Sequence, residues 1–274
     1  MGALPARAAA LAEKIGPLLA LERYDEALAE ALAAVAENPD DAEARRLAGL
    51  ALLGQDKPAE ALPHLEKAAE LAPTARNLVS LGDCHGMRIA RAPALSRPGL
   101  AKKCRAAYRK AIELEPENAG ARMAMIRYYR VAPGITGGGA GKAYEAAAEL
   151  EKIDPLMSKN ARASLLAGDK KYDEARALLL EILRDHPADY AALFALGALA
   201  AESGEHTEEG LAALQKCLAG TPPPGQPGHS FAHWRAGQLL AQKGDRDGAK
   251  AACEAALRIR PGLAAAREAL EKLE

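Results

Sequence analysis

Apolar and small positions recur along this chain in pairs of helix-length stretches, and the whole arrangement returns about every 34 residues. Each period holds a small residue, an aromatic or aliphatic one and an alanine, and it closes on a proline: Pro39, Pro73, Pro116, Pro155, Pro187, Pro222 and Pro261. A unit of that size cannot bury its own apolar face, so neighbouring units must stack to share a core. The spacing predicts an all-α chain of seven helical hairpins. Within them, small residues fall where two helices would touch, pairing Gly49 with Ala61, Gly82 with Cys104, Gly197 with Gly210 and Gly237 with Ala249.

Local segments sharpen this picture. The hairpin from Ala42 carries Gly49 in its first helix, Ala61 and Ala68 in its second, and Pro73 at its end. The last hairpin repeats the arrangement with Gly237, a Gly244-Asp245 turn, Ala249, Ala256 and Pro261. The first and fifth open their second helices with Tyr24-Asp25-Glu26-Ala27 and Tyr172-Asp173-Glu174-Ala175. These segments resemble the tetratricopeptide repeat consensus over nearly the whole chain. The resemblance implies a right-handed superhelix, an α-solenoid of about seven hairpins plus a C-terminal cap helix, in one domain spanning residues 1–274. Its repeats are expected at 8–41, 42–74, 75–118, 119–155, 156–189, 190–222 and 230–263, with the cap at 262–274.

Three stretches break the period. RAPALSRPGL, residues 91–100, lies between the helices of the third hairpin, where two prolines forbid plain helix and Pro98-Gly99 suits a helix start. The glycine-rich stretch 133–141 lies within the fourth hairpin, and TPPPGQPGHS, residues 221–230, reads as an extended linker before the seventh. Equivalent loops of neighbouring repeats should lie side by side, so 91–100 and 133–141 are expected at one edge. With His233-Trp234 after the spacer, these insertions resemble those of a bacterial, often exported group of tetratricopeptide repeat proteins.

Charge narrows the partners. With 36 basic and 37 acidic residues and a pI near 6.6, the footprint of a general nucleic-acid binder is missing. No run of about 18 apolar residues exists, so no membrane insertion is expected. The opening MGALPARAAALAEKIG lacks an apolar signal core. As it stands the chain reads as cytoplasmic, or as exported to the periplasm if a signal was removed before residue 1.

Candidate chemistry is sparse. The loop ending in Gly141-Lys142 invites a phosphate-binding reading, but Thr136 and Ala143 occupy positions where that motif needs glycine and a hydroxyl residue. His229 and His233 have metal-ligand spacing without a third ligand. Cys84, Cys104, Cys217 and Cys253 lack the Cys-x-x-Cys pattern and read as small buried thiols, with Cys84–Cys104 and Cys217–Cys253 as the alternative pairs that spacing leaves open. No catalytic residue, metal or cofactor is expected, and the chain does not read as an enzyme.

The resemblance implies that the inner faces of the first helices form a concave groove. Its lining would be Arg46, Arg76, Asp83, Met87, Met123, Arg127, Arg130, Asn160 and Ser164, then Phe194, Trp234 and Gln238. Arginine forks suit carboxylates, and methionine and aromatics supply adaptable apolar contact, so an acidic, partly apolar extended peptide fits. A clamp for chaperone tails would need asparagine where Leu50 stands. The reading is a non-enzymatic scaffold that binds a protein or peptide segment. The alternative is a small-ligand or solute-binding protein whose pocket is completed by the insertions in repeats three and four. A third class, a self-assembling subunit, would need an exposed apolar patch near Phe231 and Trp234. Neither the partner nor the oligomeric state follows from the residues.

Overall fold

The computed structural model describes residues 6–273, among which there are helices and turns but no strands. Fifteen α-helices follow one another. They pair as α1 (Ala6–Ala20) with α2 (Tyr24–Glu37), α3 (Ala42–Gly54) with α4 (Pro58–Leu71), and α5 (Ala75–Arg91) with α6 (Arg97–Leu114). Next come α7 (Ala119–Val131) with α8 (Ala140–Glu151), α9 (Pro155–Gly168) with α10 (Tyr172–Asp185), and α11 (Tyr190–Ser203) with α12 (Thr207–Ala219). The last pair, α13 (His229–Gln242) and α14 (Arg246–Ile259), is followed by α15 (Ala264–Glu271). Seven hairpins and a final helix are what the period predicts.

The ends of the helices explain the period. In the regular hairpins a left-handed residue stands two places before the second helix: Glu22, Asp56, Lys170 and Gly244. First helices are capped by a side chain at their start, with Asp41, Thr74, Asn118 and Asp189 each accepting from the backbone N–H three residues on. Second helices stop where a proline follows. Its ring pushes the preceding residue out of the helical region, and Asn38, Ala72, Glu115, His186 and Arg260 all have φ between −133 and −143. Pro155 departs from this expectation. It closes nothing and opens α9, where its missing N–H costs no hydrogen bond.

The glycine contacts are real but shifted by one turn. A Cβ on Gly49 would strike the Leu65 side chain at 2.5 Å, one on Gly82 or Gly197 the side chain of Tyr108 or Leu214 at 2.3 Å, and one on Gly237 the Cys253 sulfur at 2.8 Å. Each partner lies four residues beyond the small residue expected there. The cause is the tilt of helical Cα–Cβ bonds toward the N-terminus, which makes a side chain cover the turn before its own. Among the expected partners, the Ala249 carbonyl lies 3.1 Å from a Cβ on Gly237, and Gly210 lies against Gly197.

The chain divides into two compact units, Met1–Leu19 with Arg23–Ser158, and Ala20–Glu22 with Lys159–Glu274. In the first, alanine-rich clusters form around Ile15, Ala27, Ala31, Leu47 and Ala48, around Leu52, Ala61, Leu65 and Cys84, and around Cys104, Tyr108, Met125 and Tyr128. In the second, Leu179, Ile182, Leu214 and Leu239 are fully buried. Burying each such side chain contributes roughly 1.5–3 kcal/mol. In that unit the buried Glu22 accepts from the Ser230 N–H at 2.7 Å and its hydroxyl at 2.5 Å, supplying the cap that Gly228 cannot give α13.

The insertions are mostly ordered. That of the third hairpin is largely absorbed by longer helices, 17 residues in α5 and 18 in α6 against 13 and 14 in α3 and α4. Only Ala92–Ser96 lie between them, including a 3-10 turn at Ala94–Ser96. Pro98 is tolerated because it falls in the first turn of α6. The segment before α13 is not simply extended. Gly225 has φ 79 and the Gln226 N–H bonds the Pro223 carbonyl, so the chain reverses there.

Candidate functional site

In the first unit the predicted lining residues are organised by carboxylates. Glu43 of α3 is buried and takes both Nε and Nη2 of Arg46, at 3.0 and 2.5 Å. Its Oε1 also accepts from Arg76 Nη1 of α5 at 3.3 Å. Arg46 is therefore enclosed and engaged, while Arg76 keeps 49% of its side chain in solvent. Farther along α5, Asp83 accepts from the Tyr108 hydroxyl of α6 at 2.7 Å and lies 3.9 Å from Arg127 Nη2 of α7. Desolvation pushes the Asp83 carboxyl above its ordinary value, against the opposing pull of Arg127 and of the Tyr108 hydrogen bond. Arg127 and Arg130 are exposed, and Met87 and Met123 are half-buried.

The second unit holds the rest. Asn160 donates to Asp189 Oδ1 at 3.2 Å, and Ser164 and Phe194 are half-buried. Gln238 accepts from Arg235 at 3.0 Å, Arg235 also bonds Glu202 at 2.7 Å, and its guanidinium stacks 4.4 Å from the Trp234 ring centre. Trp234 and Phe231 pack against Ala256, Leu263 and Ala266, so the side chains around which a self-assembling subunit would need an exposed patch are covered by α14 and α15. That removes the feature the self-assembling reading required.

Sequence reasoning did not name the partners of these side chains. Glu43 and Arg46 are three apart on one helix, a spacing that signals a pair. Nothing local signals Tyr108 to Asp83. It likewise missed Asp173, Glu205 and His206, exposed residues whose ligand atoms lie within 4.8 Å of one another beside a shallow cleft of α10 and α11.

The glycine loop is folded onto its own hairpin. The amides of Thr136, Gly137, Gly138 and Gly139 donate to the carbonyls of Pro133, Gly134, Pro133 and Tyr129. The Thr136 carbonyl accepts from the Tyr128 hydroxyl at 2.7 Å and from Arg105 at 3.2 Å. Those amides are spent, so none is aimed at an anion, and the loop ties to α6. Nothing in this arrangement supports the small-ligand alternative. All four cysteines are free and buried, and burial pushes the thiols of Cys84 and Cys104 up to about 11 and that of Cys217 up to about 12.

Models described as tetratricopeptide repeat match residues 18–76, 160–227 and 232–262, more than half of the chain. No curated protein matches it. Among solved structures, a tetratricopeptide repeat protein from Parabacteroides merdae ATCC 43184 superposes with TM-score 0.61 at 15% identity, covering 97% of this chain and 98% of that one. Yeast Tom70 gives 0.59 at 14% identity, over 92% of this chain and 51% of its own. A thermophilic repeat protein from Thermus thermophilus gives 0.58 at 18% identity, over 77% and 99%. At such identities the likeness bears on the fold alone. The matched repeat models and the stacked hairpins together make this chain a member of the tetratricopeptide repeat family.

Proposed function

We propose that this chain is a non-enzymatic interaction module that holds an acidic, partly apolar peptide segment of a protein partner against its first helices. The observation that carries the reading is the state of Arg76 and Arg127. Both keep about half of their side chains exposed, although each stands near a carboxylate. At 3.9 Å the approach of Arg127 to Asp83 is too long for a hydrogen bond, so its fork is open to an incoming carboxylate. Glu43 and Tyr108 hold this face in place, which lowers the ordering cost of binding. Arg130 extends the charge along α7, and Met123 adds apolar contact. In the second unit, Asn160, Phe194, Trp234 and Gln238 are proposed as contacts for a further segment. Membership of the exported bacterial group belongs to the same proposal, and fractionation of the native cell tests it.

The test is affinity capture with cross-linking mass spectrometry, comparing the full chain with Arg127→Ala/Arg130→Ala. The expected result is a partner cross-linked to α5 and α7 whose acidic segment is lost in the double variant. Affinity should also weaken as salt rises, because exposed charges are screened beyond about 8 Å at physiological ionic strength. Equal capture by both proteins, with cross-links elsewhere, would remove the site from these helices.

A further inference from the structure

The corners of the third and fourth hairpins are two copies of one device. One reads Ala92-Pro93-Ala94-Leu95-Ser96 and the other Ala132-Pro133-Gly134-Ile135-Thr136. In both, an extended proline (φ −54, ψ 146 and φ −60, ψ 153) leads into a single 3-10 turn. Each turn carries an aliphatic residue almost wholly in solvent, Leu95 at 98% and Ile135 at 95% exposure, with Val131 at 72% beside the second. One exposed aliphatic is ordinary on any protein. Two presented on matching turns of adjacent repeats are not explained by packing.

The sequence on either side of both corners carries charge of one sign. Residues 84–112 contain eight Lys and Arg and no Asp or Glu, and residues 118–144 contain four and none, in a chain of net charge −1. Some of these cations are neutralised: Arg91 by Asp56, Arg109 and Lys110 by Glu113, and Arg122 by Glu149. Others are not. Arg97, Arg105 and Lys142 bond the carbonyls of Ala92, Thr136 and Gly137, which leaves their charge uncompensated, and Lys102 and Lys103 are exposed on α6. The bond from Arg105 to Thr136 fixes the second corner on α6, about 12 Å along the helix from its start at 1.5 Å per residue. Lys102 and Lys103 therefore lie along the stretch of α6 between the two corners.

We infer that this edge of the first unit docks on an anionic lipid surface. Aliphatic tips that enter the acyl boundary and cations at the level of the phosphates are two weak anchors that together hold a protein to a bilayer. A protein partner would need two pockets at the spacing of the two corners, whereas a bilayer accepts the tips at any spacing. The attachment is peripheral, since no helix among the described residues is long and apolar enough to cross a membrane. It uses different residues from the proposed peptide face and does not depend on that reading.

The test is co-sedimentation of the full chain with vesicles of phosphatidylcholine alone and of phosphatidylcholine mixed equally with phosphatidylglycerol. The wild type should sediment with the mixed vesicles only, and added salt should release it. Leu95→Ser/Ile135→Ser should weaken binding about tenfold per residue. Lys102→Glu/Lys103→Glu should weaken it about fivefold per cation, before the added effect of the reversed charges. All four positions are exposed, and unchanged circular dichroism verifies the fold of each variant. Failure of the wild type to sediment with mixed vesicles, or sedimentation of both variants like the wild type, overturns the inference. So does capture of a poly-glutamate peptide by the wild type, lost in Lys102→Glu/Lys103→Glu, without vesicle binding; that result would assign the edge to a protein partner.

Discussion

The Tyr108 hydroxyl donates a 2.7 Å hydrogen bond to Asp83, and the ring reaches that carboxylate by lying over Gly82, where a Cβ would come within 2.3 Å of it. One contact thus joins the packing of a hairpin to a residue of the candidate face. Tyr108→Phe keeps the ring and removes the donor, so it should cost about 1–2 kcal/mol in denaturant titrations at neutral pH. The lost hydrogen bond favoured the carboxylate, so the Asp83 carboxyl should titrate at still higher pH in the variant, as followed by carbon NMR. An unmoved Asp83 titration would show that the bond does not form in solution.

Glycine substitutions should separate by what lies opposite. Gly82→Ala and Gly197→Ala press a methyl into Tyr108 and Leu214 and should destabilise by roughly 1–3 kcal/mol. Gly16→Ala in α1 meets nothing within 4 Å and should be neutral or stabilising by up to about 1 kcal/mol. Melting temperatures ranked otherwise would refute the assigned crossings.

His85 gives a dependence on pH. It is buried, its Nδ1 has no hydrogen-bond partner among the described residues, and burial, with Lys103 and Arg88, lowers its pKa to about 4. The unfolded chain takes up this proton near the ordinary value of about 6.5, so stability is full above that pH and falls as pH drops toward 4. The loss should approach about 3 kcal/mol from this group. His64 and His233 shift in the same direction through desolvation. Melts of His85→Leu should therefore vary less steeply than wild type between these pH values, but not become flat.

The four thiols should ignore a disulfide reagent in the native state. They are buried, and their pKa values are raised by desolvation, so little thiolate is present at neutral pH. Reaction should appear with unfolding and match its denaturant midpoint. Fast labelling of Cys84 or Cys104 in buffer would mean that the hairpin of α5 and α6 opens locally.

In the glycine-rich corner, Gly138→Ala should loosen the loop and spare the helices, because a Cβ there would sit 1.9 Å from the Ala132 carbonyl oxygen. Hydrogen exchange should rise at residues 136–139 with little change in α7 and α8. Protection lost across both helices would make the loop part of the core.

The chain's own residues determined the architecture, because hairpin, turn and stop are local. A proline sets the backbone of the residue before it, a side chain two or three places away caps a helix start, and small residues mark where helices cross. The helix on which each candidate residue sits was legible for the same reason, since Arg76, Arg127 and Arg130 could be placed on first helices by count alone. What each lining residue touches was decided by tertiary structure. Arg46 was read as a groove contact and is enclosed by Glu43, while Trp234 is half-covered by a guanidinium and the last helices. The one-turn shift of the side chains that meet Gly49, Gly82, Gly197 and Gly237, and the meeting of Tyr108 with Asp83, depend on how side chains lean and how one helix slides past another. Spacing along the chain carries no information on that, because it reports which residues share a helix face and not what the facing helix places opposite them.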